Sequence, residues 1–574
     1  MAAGSKDGQK SPMIGAPARF SPLAGLVVVL VAIVLFAPGI GVLPPIDRDE
    51  ARFVQATKQM HESGDYIDIR FQDEPRHKKP VGIYWLQAVA TAPFGGADAP
   101  IWAYRIPSFI GAVLAALATW FAGLALFGPR AAFAGALLMS STILLTVEAR
   151  LAKTDAVLAA LTIFAIAVLA RAWMEGRETS GAGRNLAPPP ATPLALPLTL
   201  GFWAALGLGI LVKGPIILMV VGLTLLLLLI ASRSPAVLLR LRPLSGLALM
   251  LLIAVPWFIA IGIRSDWTFF TAAIGQDMLG KVASAQEAHG APPGTYVALF
   301  FATAWPLAPF TLLAAPFIVG VWKRPAVFFA LAWLVPSWLV FEAVPTKLPH
   351  YVLPLYPALA LMSAAALEEG MLLAGKAWRY LAGFLLASVP IVIAIGAIAL
   401  PLWLEKRLPA GTDLAGIGAA VLGVIGARAI ARGREESALL AATVAAALIY
   451  LAAFQFGFPT LSAIRVSEHA AAAAHEDAVC DDPQIASAGY SEPSLVFFAG
   501  TDTRLTDGKG AADFLSGEGC QVALVEARQE SAFQDAAANE NLALSAGREV
   551  SGFNYSRGKA VTLRVYRRSA EAER

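Results

Sequence analysis

Long apolar runs recur between residues 24 and 458, and they constrain the fold more than any other feature of the sequence. Crossing a bilayer takes about 20 mostly apolar residues, because a helix rises about 1.5 Å per residue through a hydrocarbon core near 30 Å. Only a helix or a closed barrel satisfies its own backbone there. A barrel would show short alternating segments, whereas the Leu-, Ala- and Val-rich runs here are continuous and predict helices. Candidate spans fall near 24–43, 101–126, 131–147, 156–173, 196–212, 214–232, 244–263, 295–321, 325–343, 351–370, 380–402, 413–430 and 437–458. That makes about 13, several near the lower length limit. Composition agrees. Hydrophobic residues make up 57% and charged ones 15%, against roughly 25% charged in soluble domains, and mean hydropathy is +0.64. A cytosolic enzyme, a disordered chain and a coiled coil are excluded. The net charge of +3 is too balanced to point to nucleic acid.

The loops between the runs set the orientation, since cytoplasmic loops carry an excess of Lys and Arg. Numbered alternately, one set holds Lys6, Lys10, Arg19, Arg130, Arg171, Arg240, Arg242, Lys323, Arg324, Arg379 and Arg432 with few acids. The other mixes cations with Asp47, Asp49, Glu50, Asp65, Asp68, Asp73, Glu148, Asp155, Asp277 and Glu287. The expected layout is an inside N-terminus, an odd number of spans and an outside C-terminus. The first run has a basic flank but no small-residue cleavage site, so it reads as an uncleaved signal anchor. The Gly-, Pro- and Ala-rich segment 179–197 reads as a cytoplasmic loop.

After residue 465 the character changes. Residues 1–464 read as a transmembrane domain and 465–574 as a small soluble α/β domain on the outer, periplasmic side. Within it Ser494–Gly500, Gln521–Glu526 and Ala560–Tyr566 read as strands, and Ala511–Leu515 and Glu530–Ala538 as helical. The chain's two cysteines, Cys480 and Cys520, both lie here. A disulfide in an oxidising compartment is one reading; two buried thiols is the other, since sequence does not show whether the Cα atoms come close enough.

Ionisable residues are costly near lipid and are functional candidates by default. Here they gather at the outer ends of the runs, in loops 44–100, 148–155, 264–294 and 344–350. In the first loop Asp49, Glu50, Arg52 and Lys58 open an amphipathic helical stretch, Phe71 to Pro80 is rich in turns, and Gly82 to Ala88 reads as an interfacial aromatic helix. A solvated loop with helix-capping acids is the alternative. The second loop carries Glu148, Arg150, Lys153 and Asp155; Lys213 stands alone between two runs, where it either serves the site or snorkels. Asp277, Lys281, Glu287 and His289 lie in the next outer loop, and Lys347, His350 and Tyr351 in the last. Lone histidines are more often structural than ligands, and no CxxC, HExxH, P-loop or GxSxG pattern occurs, so no cofactor and no metal site are expected.

Cations (Lys79, Lys153, Lys213 and Lys347, with Arg52 and Arg150 nearby) thus face a few carboxylates (Asp49 and Asp155). Such cations suit a phosphate head group. A carboxylate among them suits a general base or the stabilisation of a developing sugar cation. Together they give the chemistry of glycosyl transfer from a lipid-linked phosphate. One rival is a glycan polymerase or ligase using a pyrophosphate-linked oligosaccharide. Another is a transporter of lipid-linked sugar, which would place ionisable residues near mid-span and show related halves.

Asp49–Phe53 (DEARF), Ser63–Tyr66 (SGDY) and Lys79–Leu86 (KPVGIYWL) resemble the first periplasmic loop of the bacterial aminoarabinose-transferase-like glycosyltransferases, relatives of the protein O-mannosyltransferases with the C-type multi-pass fold. Lys153–Ala156 (KTDA), Leu211–Pro215 (LVKGP) and Lys347–Pro357 (KLPHYVLPLYP) resemble that family's later motifs in the same order, over roughly residues 20–370. The resemblance implies an all-α polytopic fold with a small C-terminal α/β appendage in the inner membrane. It implies a polyprenyl (undecaprenyl) phosphate-linked sugar as donor and a lipid or glycan acceptor such as lipid A. Asp49 takes the position of the family's catalytic acid, Asp155 its second acidic position, and Lys79 the lysine that meets the donor phosphate. Arg52, Lys153, Lys213, Lys347, His350 and Tyr351 complete the expected phosphate-binding set. The family commonly has Glu before the Lys-Pro pair. Here it is Lys78, which makes the site more cationic, so a cationic amino-sugar gains less from it than a neutral or acidic one.

Overall fold

The computed structural model describes residues 21–46, 49–177, 186–273, 275, 280 and 290–569. Lys6, Lys10, Arg19, Asp47, Asp277, Lys281, Glu287 and His289 lie outside the described residues. Helices at the start of the chain are α1 (Pro22–Phe36), α2 (Asp49–Ser63), α3 (Gly82–Thr91) and α4 (Ile101–Leu126). They are followed by α5 (Pro129–Ser141), α6 (Ile143–Glu148), α7 (Asp155–Met174) and α8 (Leu196–Lys213).

Among the described residues nine helices are long and apolar enough to cross a membrane. They are α4, α7, α8, Pro243–Arg264, Pro325–Ala343, Pro349–Glu368, Lys376–Leu404, Thr412–Ala431 and Glu435–Thr460. The expected count of about 13 is not reproduced. The expected span 295–321 is two helices, Thr295–Thr303 and Leu307–Gly320, bent by 120°. The span 131–147 is divided into α5 and α6 by an extended Thr142, and α1 and Ile216–Ser232 are apolar but short. Hydropathy counts apolar surface and is blind to a break in the backbone that carries it.

Burial separates inner helices from outer ones. The apolar window of α7 is 78% buried in the protein, that of Pro243–Arg264 only 33%. On the latter Leu244, Leu252 and Ile263 stand exposed, a surface suited to lipid. The most extensive inner contact is between α4 and α7. A Cβ on Gly111 of α4 would lie 2.8 Å from the Val157 backbone nitrogen, so glycine is what lets the two backbones touch. That approach lets Ser108 of α4 donate to the Lys153 carbonyl at 3.0 Å, just before α7 begins.

The connection between α1 and α4 forms a cap of its own. It holds α2, a short antiparallel pair β1 (Arg70–Phe71) and β2 (Glu74–Pro75), and α3. Both expected helices of this loop are present, and the turn-rich stretch between them is a hairpin.

From Val466 onward the chain builds a five-stranded sheet from β3 (Gln484–Ala488), β4 (Arg504–Thr506), β5 (Gln521–Glu526), β6 (Leu544–Asn554) and β7 (Lys559–Arg568). The order is β4-β3-β5-β7-β6; β4, β3 and β5 run parallel, and β7 pairs antiparallel with β5 and β6. Alternating strand residues feed two cores, one with Val466, Ala470 and Leu495 against Leu524 and Leu563, the other with Leu515 and Phe533 against Val525 and Tyr566. The strands expected at Gln521–Glu526 and Ala560–Tyr566 and the helices at Ala511–Leu515 and Glu530–Ala538 are present. Ser494–Gly500, expected as a strand, is instead the helix Pro493–Ala499. A run this short does not reveal its period, and proline at the first turn was the helix signal to weigh. Cys480 and Cys520 are joined in a disulfide, with Cα atoms 6.4 Å apart.

Candidate active site

Successive residues on a helix point about 100° apart, and this separates the acids that open α2. Asp49 is exposed, while Glu50 is buried, at 1% exposure. Glu50 accepts from Nε and Nη2 of Arg105 at 2.8 and 3.0 Å, and from the amides of Ile46 and Ala152 at 2.7 and 2.8 Å. Arg105, fully buried in α4, spends its other donors on the carbonyls of Ile40, Leu43 and Pro44, each at 2.9 Å. Burying such a pair is sustainable only because its lone pairs and protons are met. The pair ties the start of α2, the chain leading to it and the loop between α6 and α7 into one unit. Arg52 sits one turn beyond Asp49 and is half-buried.

The second group is built on the ends of α6, α7 and α8. Lys153 lies 3.2 Å from both oxygens of Glu148 and 3.8 Å from Asp155. Lys213, the last residue of α8, donates to Asp155 at the first position of α7. His350 completes the group, with Nδ1 3.7 Å from Glu148 and Nε2 3.6 Å from Asp155. These separations exceed hydrogen-bond length and set the ring beside both carboxylates. The Tyr351 ring lies under the Lys213 ammonium, 5.3 Å from its centroid. All four charged residues, Glu148, Lys153, Asp155 and Lys213, are buried. Burial opposes the charge of Lys153, but Glu148, Asp155 and Asp49 outweigh it and hold the ammonium above the ordinary lysine range. That influence of Asp49 links the first loop to the cluster.

Lys79 arrives by a packing contact. A Cβ on Gly82 would sit 2.7 Å from the Leu211 backbone, so α3 lies directly on the end of α8, and Lys79, just before α3, comes near enough to His350 to act on it electrostatically. Lys78 is exposed.

Of the residues singled out in the sequence, Lys153, Asp155, Lys213, His350 and Tyr351 come together, and Asp49 and Lys79 lie near enough to act on Lys153 and His350 electrostatically. Lys347 does not join them. Its ammonium donates to the carbonyls of Glu342 and Val344 at 2.9 and 2.7 Å, capping the end of Pro325–Ala343. Arg150 is also structural: it donates to the Leu35 carbonyl at 2.7 Å and lies over the Phe454 ring. Sequence reading passed over Arg105 because it stands inside an apolar run, although a charge there is itself a signal. Glu148 was named only as part of its loop.

Ligand atoms of Glu148, Asp155 and His350 lie within 4.8 Å of one another, a donor set suited to a divalent ion. Both carboxylates already face the ammonium groups of Lys153 and Lys213. The residues therefore fit ammonium-neutralised carboxylates better than metal ligands.

Residues 78–184 match the family model described as dolichyl-phosphate-mannose-protein mannosyltransferase. The undecaprenyl phosphate-alpha-4-amino-4-deoxy-L-arabinose arabinosyl transferase of Edwardsiella ictaluri is 27% identical over 338 residues, 58% of this chain and 57% of that protein. The corresponding transferase of Aeromonas hydrophila is 27% identical over 357 residues, covering 60% and 61%. The match thus spans about three-fifths of these relatives. The crystal structure of ArnT from Cupriavidus metallidurans bound to undecaprenyl phosphate superposes with a TM-score of 0.72 at 19% identity, covering 94% of this chain and 97% of that one. The chain is a multi-pass membrane protein that resembles the undecaprenyl phosphate arabinosyl transferases in sequence and shares their C-type glycosyltransferase fold.

Proposed function

We propose that the chain is a glycosyltransferase that moves a single sugar from an undecaprenyl phosphate carrier to an envelope acceptor such as lipid A, at the periplasmic face of the inner membrane. The observation that carries this reading is the convergence of Lys79, Lys153 and Lys213 around Asp155 and His350, beside an exposed Asp49 at the mouth of the bundle. The relatives named above support the donor class. The loop charges and the Cys480–Cys520 disulfide support a cytoplasmic N-terminus and a periplasmic domain after residue 465.

The step is one displacement at the anomeric carbon. An acceptor oxygen forms the new C–O bond, the bond from the sugar to the carrier phosphate breaks, and the electron pair leaves on the phosphate oxygen. Lys79, Lys153 and Lys213 neutralise the charge that grows there. The proton of a hydroxyl acceptor goes to Asp49, whose exposure leaves it open to an incoming group. Asp155, held by Lys213, is assigned to stabilise the positive charge that develops on the sugar. Arg52 and Tyr351 are assigned to the phosphate-binding set.

Purified protein in proteoliposomes, supplied with undecaprenyl phosphate-linked sugar and lipid A, should transfer sugar. Asp49→Asn, expressed at the same level, should lose transfer while retaining donor binding. Full transfer by that variant removes the base assignment, and a wild-type protein that consumes only pyrophosphate-linked oligosaccharide replaces the reaction by polymerisation or ligation.

A further inference from the structure

Through the helix Pro493–Ala499 the appended α/β domain reaches into the membrane domain. The ring of Phe497, on the helix Pro493–Ala499, belongs to neither of that domain's own cores. It packs in a separate cluster with Val54 of α2, Ala99, Ala103 and Tyr104 at the start of α4, and Ala152. Tyr104 meets it edge-on, with centroids 5.8 Å apart, and the Lys58 ammonium lies 5.7 Å from the ring and donates to the Phe497 carbonyl at 3.3 Å.

Ala152 is the residue before Lys153, and it is gripped on every side. Its N–H goes to Glu50 at 2.8 Å, and its carbonyl accepts from Gln87 at 3.0 Å. Gln87 is in turn fixed by Thr57 of α2 at 2.7 Å. With these polar groups committed, the methyl is what remains to be placed, and it lies in the same apolar cluster as Phe497.

We propose that Phe497 is a positioning residue for the transfer site: by closing the pocket around Ala152 it sets Lys153 against Glu148 and Asp155. A second set of contacts, separable from this one, holds the same segment elsewhere. Thr501 accepts from Gln55 and donates to Glu62, both at 2.7 Å. Gln72 donates to the carbonyls of Thr501 and Thr503 at 2.9 and 2.6 Å. These polar contacts dock the domain on α2 and the hairpin turn and do not touch Ala152, so docking and positioning can be tested apart.

Hydrogen exchange of the full chain in lipid nanodiscs reads the positioning directly. Phe497→Ala should speed exchange across 149–155 by about tenfold or more, whereas Thr501→Ala and Phe497→Leu should leave that segment close to wild type. The activity arm rests on the function proposed above. There Phe497→Ala should lower kcat for transfer from undecaprenyl phosphate-linked sugar by about tenfold to a hundredfold, the cost of a slight misplacement of a charged group. The donor KM should be nearly unchanged and Phe497→Leu should restore kcat. Unchanged exchange at 149–155 in Phe497→Ala overturns the proposal, as does a kcat loss that Thr501→Ala reproduces. If Phe497→Ala does not accumulate, Phe497→Val decides on the same readings. A wild-type protein without transfer activity would sink the function reading and leave the exchange result to judge positioning.

Discussion

Replacing Arg105 by Met keeps most of the side-chain volume and removes the charge and all of the donors. In the folded protein those donors serve both oxygens of Glu50 and the carbonyls of Ile40, Leu43 and Pro44. Losing one partner of a buried pair costs about 3–5 kcal/mol. Glu50 keeps the amides of Ile46 and Ala152, so its charge is not bare, and the lower end of that range, about 3 kcal/mol, is expected. Glu50→Gln should cost a similar amount, because its amide NH₂ then faces the Arg105 donors. The double variant removes the opposed charges together and should cost about 3–4 kcal/mol, not about 6, a coupling of about 2–3 kcal/mol. Reversible unfolding of the four proteins in mixed micelles gives the cycle, and transfer rates measured alongside should recover partly in the double variant. Additive losses would refute the view that this pair binds the first two outer loops into one unit.

The two lysines that sequence reading treated alike should separate. Lys213→Met removes the partner of Asp155 and should lower transfer by about 10²–10³, while Lys347→Met, which removes a helix cap, should lower the thermal midpoint and leave the donor KM unchanged. The first loop should also loosen in acid. Partial burial opposes the charge of Asp65, but the amides of Ile67 and Asp68 and the Arg264 guanidinium outweigh it and hold its carboxyl below the ordinary value of 3.8. A depressed carboxyl contributes stability that is present above its unfolded pKa and is lost as pH falls through the folded one. Exchange of the Ile67 and Asp68 amides, corrected for its intrinsic pH dependence, should therefore rise below about pH 4. Asp65→Asn should abolish that dependence; a variant that keeps it would show that another group carries it.

The membrane class and the gathering of Asp49, Lys79, Lys153, Asp155, Lys213, His350 and Tyr351 were legible because charge is rare in this chain and its position along each apolar run is informative. What sequence concealed was direction. Asp49 and Glu50 are neighbours in the chain and face opposite ways on α2. Lys347 and Lys213 both follow apolar runs, yet one turns back on its own helix end and the other reaches a carboxylate. Arg105 lay hidden for the opposite reason: one charge inside 26 residues of α4 barely lowers the hydropathy that marks a span, although it holds the loop above. The helix Pro493–Ala499 was misread because seven residues show no period, and its Phe497 meets residues far away in sequence.

The ammonium groups of Lys79, Lys153 and Lys213 stand among the carboxyl groups of Asp49, Glu148 and Asp155. A carrier phosphate entering under the proposed mechanism is thus not drawn by a large net positive charge. It must compete with Glu148 and Asp155 for ammonium groups those carboxylates already hold. Each ammonium that turns toward phosphate leaves its carboxylate less neutralised in a buried place, where charge is felt strongly. The exchange therefore leaves Asp155 less neutralised as the bond from sugar to phosphate lengthens and positive charge builds on the sugar. On this argument the pairing of these lysines with Glu148 and Asp155 is a reserve released in step with the proposed reaction, and its release depends on Lys153 being held where the Ala152 peptide puts it.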